Sequence, residues 1–192
     1  EAEQTFQWCR STASELGLYE QVRPTITMLA EISFLRGEPD AAEHLLRPVL
    51  HTPGYVEESA DWQAIGEIHL CHKEVKEARQ ALETARQKIV PVTRDSLPLT
   101  TALLALTEHL ESNGTYWLTQ WEQFPFQTQP PHAKLVGLSL QQLHGTQSTG
   151  AELSLLEKSL DDFPWAIRRR YEIYQHRLHP LLYEPHDWPC TP

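Results

Sequence analysis

Four side chains near the carboxyl end have the chemistry to bind a metal ion. They are His176, His179, His186 and Cys190, out of ten histidines and three cysteines in 192 residues. His176 and His179 share one face of a predicted helix, and the tail that follows could fold back to add the other two ligands. Their spacing matches no standard zinc finger. We therefore predict no cofactor and keep these four residues as the candidate zinc ligands.

A second group, His69, Cys71 and His72, is closer in sequence but less suited to one ion. His69 and His72 lie on the same helix face, whereas Cys71 points elsewhere, so ligands from distant parts of the chain would be needed. Three scattered cysteines are also too few for a disulfide framework. We expect reduced thiols and structural histidines in this stretch.

Two short motifs look like catalytic sequences but lack the residues that catalysis needs. The stretch 145–150 has the two glycines of a phosphate loop, but Ala151 and Glu152 replace the residues that would contact phosphate and metal. The tripeptide that begins at Gly137 lacks the second glycine of a nucleophile elbow and lies within a predicted helix. The sequence therefore predicts a protein that is not an enzyme.

Composition excludes several classes of partner. The formal net charge is −10 and the isoelectric point is near 5.4, which disfavours nucleic acid and anionic membrane surfaces because binding to them requires clustered lysine and arginine. No run of apolar residues is long enough to span a bilayer, and 40% hydrophobic residues suffice for a globular core. We predict a soluble, acidic, cytoplasmic protein.

Two helical hairpins follow one another between residues 26 and 89. In each, apolar residues recur at three- and four-residue spacings on both sides of a polar break, which is typical of two packed helices. Gly37 suits the left-handed position after the first helix, and Pro39 suits the first turn of the second. The sequence predicts helix, turn and helix, twice.

The two hairpins are copies of one plan. Four pairs of positions are each separated by 36 residues: Ala30 and Gly66, Ala42 and Ala78, Leu46 and Leu82, and Val49 and Ala85. Small residues recur at Ala30, Ala42, Gly66, Ala78 and Ala85, where we expect helix backbones to approach closely.

These hairpins resemble the tetratricopeptide repeat. The matching positions are Trp62, Ile65, Gly66, His69, Ala78, Leu82 and Ala85 in the second hairpin, and Leu29, Ala30, Gly37, Ala42 and Leu46 in the first. Ser33, His69, Lys73 and a repeat two residues longer than the usual length of about 34 depart from the family pattern. The resemblance implies an all-α fold of antiparallel hairpins stacked as a right-handed superhelix.

The first 17 residues have the apolar spacing of a second helix without its partner. Ala2, Phe6 and Cys9 are spaced like the second helix of the first hairpin, so we predict a half repeat over 1–17. Thr12 and Glu15 also form a capping-box pattern, and a helix break near Thr12 is the alternative.

The remaining boundaries define one predicted repeat domain over 1–179. Its predicted parts are hairpins over about 23–51, 59–90, 99–124 and 132–160, a capping helix over 164–179, and a tail over 180–192 that is rich in proline and aromatic residues. Thr149 and Glu152 predict a capping box at the start of the helix near 151–160. The arginines at 168–170 are either a solvated face of the capping helix or a docking patch for an acidic partner.

The family resemblance implies a non-catalytic adaptor or scaffold that binds a protein or peptide in a concave groove. Carried onto matching positions, the groove consists of Thr27, Glu31, Phe34, Leu35, Gln63, Glu67, Leu70, Lys134, Leu138 and Gln141. The two glutamates favour a basic or neutral partner. Because the chain begins at Glu1 and its only methionine is Met28, the alternative is a regulatory or sensor segment of a larger multidomain protein, active in signalling or transcription, whose upstream domains would be its partner.

Overall fold

A computed structural model of the chain describes residues 1–50, 58–90, 95–145 and 149–183. These residues form an all-α structure, and no strand occurs among them. The chain divides into two compact units, Glu1–Pro91 (unit 1) and Val92–Pro192 (unit 2), whereas the sequence predicted one repeat domain over 1–179. No helix in the described part is long and apolar enough to cross a membrane.

The described residues of unit 1 form five α-helices. They are α1 (Ala2–Glu15), α2 (Tyr19–Leu35), α3 (Pro39–Leu50), α4 (Ser59–Cys71) and α5 (Val75–Gln87). Helix α1 packs on α2, α2 pairs with α3, α4 pairs with α5, and α4 also contacts α2 and α3. Both predicted hairpins are therefore present, and a single helix precedes them as predicted. Helix α1 runs unbroken through Thr12, so the alternative of a break at that residue is wrong.

The same turn ends three helices of unit 1, namely α1, α2 and α4. Gly17, Gly37 and Lys73 have φ angles of 70°, 82° and 63°. Each donates its backbone N–H to the carbonyl three residues earlier, and the next residue donates to the carbonyl five residues before itself, at 2.8–3.2 Å. This is the Schellman arrangement, which satisfies carbonyls left over at a helix end. The prediction for Gly37 is confirmed, and Lys73 occupies the position 36 residues further on.

Small residues lie where the helices of unit 1 meet. Ala30, Ala42, Ala78 and Ala85 are each at most 1% exposed. A Cβ on Gly66 would lie 2.6 Å from Cγ of Leu82, so in this packing α4 and α5 are too close for a side chain at that position unless Leu82 moves. The predicted role of the recurring small residues is confirmed.

Within its described ranges, unit 2 also forms five α-helices. They are α6 (Leu97–Ser112), α7 (Tyr116–Trp121), α8 (Pro131–Leu143), α9 (Gly150–Lys158) and α10 (Trp165–Ile173). Helix α10 continues as a π-helix, Tyr174–Leu178, and then as a 3₁₀ turn, His179–Leu182. Helix α8 contacts α6, α7, α9 and α10 and is the centre of this unit.

The last helix contributes to the core of unit 2. The sequence predicted an α-helix that serves as a polar cap over 164–179, but its second half is a π-helix. Tyr171, Ile173, Tyr174 and Leu178 are at most 5% exposed, and both α10 and the π-helix contact α8. Residues 184–192 of the predicted tail lie outside the described residues.

Helix starts differ from the predicted caps. Helix α9 begins beside Thr149 as predicted, but the Thr149 side chain makes no capping bond, so the capping box there is wrong. A capping box does form at α4, where the Glu58 side chain and Asp61 exchange bonds with each other's backbone N–H. A glutamate in place of serine or threonine hid this signal in the sequence.

Candidate functional site

The first helices of the two hairpins, α2 and α4, meet through a buried carboxylate. Asp61 is 1% exposed, and its Oδ1 accepts a 2.8 Å hydrogen bond from Thr27 Oγ1. Its Oδ2 accepts a 2.9 Å bond from the Glu58 backbone N–H. Arg23, which also pairs with Glu58, lies 3.8 Å from Asp61. These bonds offset the cost of removing Asp61 from water, so α2 and α4 are fixed side by side at this point.

The predicted groove positions of unit 1 divide into exposed and buried groups. Thr27 and Glu31, both on α2, are partly exposed. The other five are buried: Phe34, Leu35, Gln63, Glu67 and Leu70. The surface available to a partner in this unit is therefore the α2 side of the predicted groove.

Glu67 is the most unusual of the buried positions. It is 1% exposed and accepts a 3.0 Å hydrogen bond from Gln63 Nε2, one helical turn earlier. A buried carboxylate of this kind requires polar partners, so Gln63 and Glu67 act as a structural pair of α4.

The predicted groove positions of unit 2 lie on α8. Leu138 is buried, whereas Lys134 and Gln141 are partly exposed. Lys134 Nζ lies 4.6 Å from the centre of the Phe126 ring, and burial lowers the pKa of Lys134. Gln141 Nε2 donates a 2.8 Å hydrogen bond to Glu122 Oε1. Both groups already have partners on the segment that precedes α8.

The histidines at the turn between α4 and α5 have carboxylate partners of their own. His69 Nδ1 lies 2.6 Å from Glu74 Oε2 across the turn between α4 and α5, and His72 Nε2 lies 2.8 Å from Asp40 Oδ1 on α3. Cys71 carries a partly buried, reduced thiol. The expectation of structural histidines here agrees with this arrangement.

Two of the four candidate metal ligands near the carboxyl end lie within the described residues. His176 is exposed, and His179 is partly buried with its ring 5.0 Å from that of Tyr183. His186 and Cys190 lie outside the described residues. Within the described ranges, no three histidine, cysteine or acidic side chains are grouped so as to hold a metal ion.

His132 is a deeply buried titratable group of unit 2. It is 5% exposed, and its ring meets the ring of Tyr174 edge-on at 5.4 Å. Burial and, to a smaller degree, the positive charge of Arg170 lower the pKa of His132 well below 6.5. Burial likewise raises the pKa of Tyr171 to about 12, with the charge of Glu157 as a smaller cause. Both groups are therefore neutral at physiological pH.

The apolar crevice beside these residues is too small for a ligand. It is lined by Leu106, Leu135, Val136, Tyr174, Leu178, His179 and Leu182, and it has no room for a water molecule. Ser139, the hydroxyl of the Gly-Leu-Ser sequence, is fully buried and donates a 2.7 Å hydrogen bond to the Leu135 carbonyl. That side chain is a helix-core residue without access to substrate.

Sequence reasoning missed two pairs of polar residues. One is Thr27 with Asp61, and the other is His109 with His144, whose Nδ1 and Nε2 atoms lie 3.2 Å apart in unit 2. The partners are 34 and 35 residues apart in sequence and lie on, or at the end of, different helices, so no local sequence pattern identified either pair.

Comparison with protein-family models, with curated proteins and with solved structures finds no match to this chain. The likeness of its two hairpins to the tetratricopeptide repeat, and the superhelical stacking that this likeness implies, therefore stay predictions.

Proposed function

We propose that the chain is a non-catalytic protein-interaction module that binds a peptide or protein segment along the first helices of its stacked hairpins. The observation that supports this most is the fixed pairing of α2 with α4 through Thr27 and Asp61. A helix pair held in one register offers a partner a surface that needs little ordering on binding. Thr27 and Glu31 are the groove positions of unit 1 that solvent reaches.

The charge of this surface favours a basic or neutral segment. Glu31 is a partly exposed carboxylate on α2. Residues 1–91 contain 15 aspartates and glutamates but only nine lysines and arginines, so unit 1 has an excess of negative charge. An acidic segment would be repelled at long range, whereas a lysine or arginine would be attracted. In unit 2, the predicted groove positions that solvent reaches are Lys134 and Gln141.

A displayed library of random peptides tests this proposal, because it offers basic, neutral and acidic segments alike. Peptides selected on the wild-type protein are measured by fluorescence anisotropy against wild type, Glu31→Lys and Glu77→Lys. Glu77 is an exposed glutamate on α5, the second helix of its hairpin, so it matches the charge change on a different helix face. We expect Glu31→Lys to weaken binding of lysine- or arginine-containing peptides about fivefold, as loss of an exposed charge pair predicts.

The control decides where binding occurs. If Glu77→Lys binds the peptides as tightly as wild type and Glu31→Lys binds them more weakly, the result supports binding at the α2 surface. Equal losses in both variants would show a general charge effect, and selection of no peptides would contradict the proposed function.

A further inference from the structure

Two imidazole rings meet at the ends of neighbouring helices in unit 2. His109 lies in the last turn of α6, and His144 follows the last residue of α8. His109 Nδ1 and His144 Nε2 are 3.2 Å apart, with the ring planes at 88°. His109 is 7% exposed, whereas His144 is partly exposed, so a small ion can reach the pair from the His144 side.

The distance between these nitrogens is that of two ligands on one metal ion. Zinc binds imidazole nitrogen at about 2.0–2.1 Å, and a tetrahedral angle then places two ligand nitrogens about 3.3 Å apart. The observed distance is 3.2 Å, and a small rotation of either side chain would remove the difference.

The backbone around the pair also favours positive charge. The carboxyl ends of α6 and α8 carry the partial negative charge of their last carbonyl groups. His109 lies in the last turn of one helix and His144 caps the other. A cation bound between the two rings would interact favourably with both helix ends. This argument does not depend on the distance between the nitrogens.

We propose that His109 and His144 form a two-histidine site for a divalent transition-metal ion such as zinc or copper, with water completing the coordination. In the hydrogen-bonded pair, one of the two facing nitrogens carries a proton. Binding moves that proton to the other nitrogen of the same ring, so both imidazoles stay neutral and each facing nitrogen donates a lone pair to the metal. The ion would join the ends of α6 and α8.

Isothermal titration with zinc chloride and, separately, copper chloride tests the site on the full chain after removal of metals with a chelator. We expect one ion per chain, tighter binding of copper than of zinc, and a rise in melting temperature with metal concentration. His144→Ala and His109→Gln should each weaken binding at least tenfold. His144 is partly exposed, so its alanine variant should fold, which circular dichroism checks.

Two matched variants separate this site from other histidines. His44→Ala removes an exposed histidine of α3, and His179→Ala removes a member of the predicted carboxyl-terminal zinc set; both should bind zinc like wild type. Loss of binding in His179→Ala with retention in His144→Ala would assign the ion to the terminal set and overturn the proposal. Binding unchanged in both His109→Gln and His144→Ala, or no binding at all, would also overturn it.

Discussion

In unit 1 one backbone turn ends α1, α2 and α4, whereas the described helix ends of unit 2 differ from one another. Gly17, Gly37 and Lys73 repeat the same left-handed turn and hydrogen bonds. In unit 2, Gly145 after α8 is also left-handed, with a φ of 73°, and donates to the carbonyl three residues earlier. Asn113 after α6 is left-handed but donates to the carbonyl four residues earlier, and α10 passes into a π-helix without a turn. Unit 1 therefore uses one turn geometry at three helix ends, whereas the described helix ends of unit 2 use several.

Close helix contacts at two glycines also differ between the units. In unit 1 the flexible side chain of Leu82 packs against Gly66, and in unit 2 the rigid indole of Trp121 packs against Gly137. A Cβ on Gly137 would lie 2.3 Å from the ring. Glycine thus allows a close helix contact in both units, beside a leucine with several rotamers in unit 1 and beside a rigid indole in unit 2.

Matched Gly66→Ala and Gly137→Ala variants would test this contrast and have the largest expected difference. Alanine stabilises a helix by about 1 kcal/mol relative to glycine. We expect Gly66→Ala to stay within about 1 kcal/mol of wild type, since Leu82 can move, and Gly137→Ala to lose roughly 2–3 kcal/mol through overpacking against Trp121. Urea unfolding followed by circular dichroism measures both. Similar losses in the two variants would mean that the indole also adjusts.

Acid should destabilise unit 2 through His132. Burial lowers the pKa of this histidine in the folded chain, so its contribution is fully present above the unfolded value of 6.5 and is lost as the pH falls below it. Between pH 6.5 and about pH 5.5, we expect wild type to lose roughly 1 kcal/mol more unfolding free energy than His132→Phe. The phenylalanine keeps a ring against Tyr174.

Urea unfolding of both proteins at the two pH values measures that difference. A parallel decline of wild type and His132→Phe would show that protonation of His132 does not contribute to acid destabilisation.

The sequence predicted the helices of unit 1 well because the determinants there are local. Gly37, Pro39 and the apolar spacing specify a turn and two helices within a few residues, and the 36-residue offset identifies the copies. The π-helix of unit 2 could not be predicted in this way. It depends on how Tyr174 and Leu178 fit against α8, which is a contact between segments far apart in the chain.

The candidate site was less predictable than the fold. Helical position placed Gln63, Glu67 and Leu70 on one face of α4, but burial depends on every helix packed around α4, and these three side chains are buried. Asp61 was missed because its partner Thr27 is on another helix. Periodicity indicates which residues share a helix face, whereas the exposure of each side chain depends on the tertiary packing.

The smallest expected effect concerns how strictly unit 1 repeats its turn. Lys73 has a φ of 63° where the preceding turn has Gly37 at 82°, and a side chain in this conformation costs roughly 1 kcal/mol. Lys73→Gly should therefore raise the unfolding free energy by about 0.5–1 kcal/mol, the strain relieved being partly offset by the greater freedom of glycine in the unfolded chain. Gly37→Lys should lower the unfolding free energy by a similar amount. As a control within α5, Lys76→Gly should lower the unfolding free energy by about 1 kcal/mol, which is the ordinary cost of glycine in a helix. Urea midpoints measure the stability of all three variants.

A loss of stability in Lys73→Gly would mean that the side chain of Lys73 stabilises the fold by more than its backbone strain costs. The turns at Gly37 and Lys73 would then be alike in geometry but not in energy.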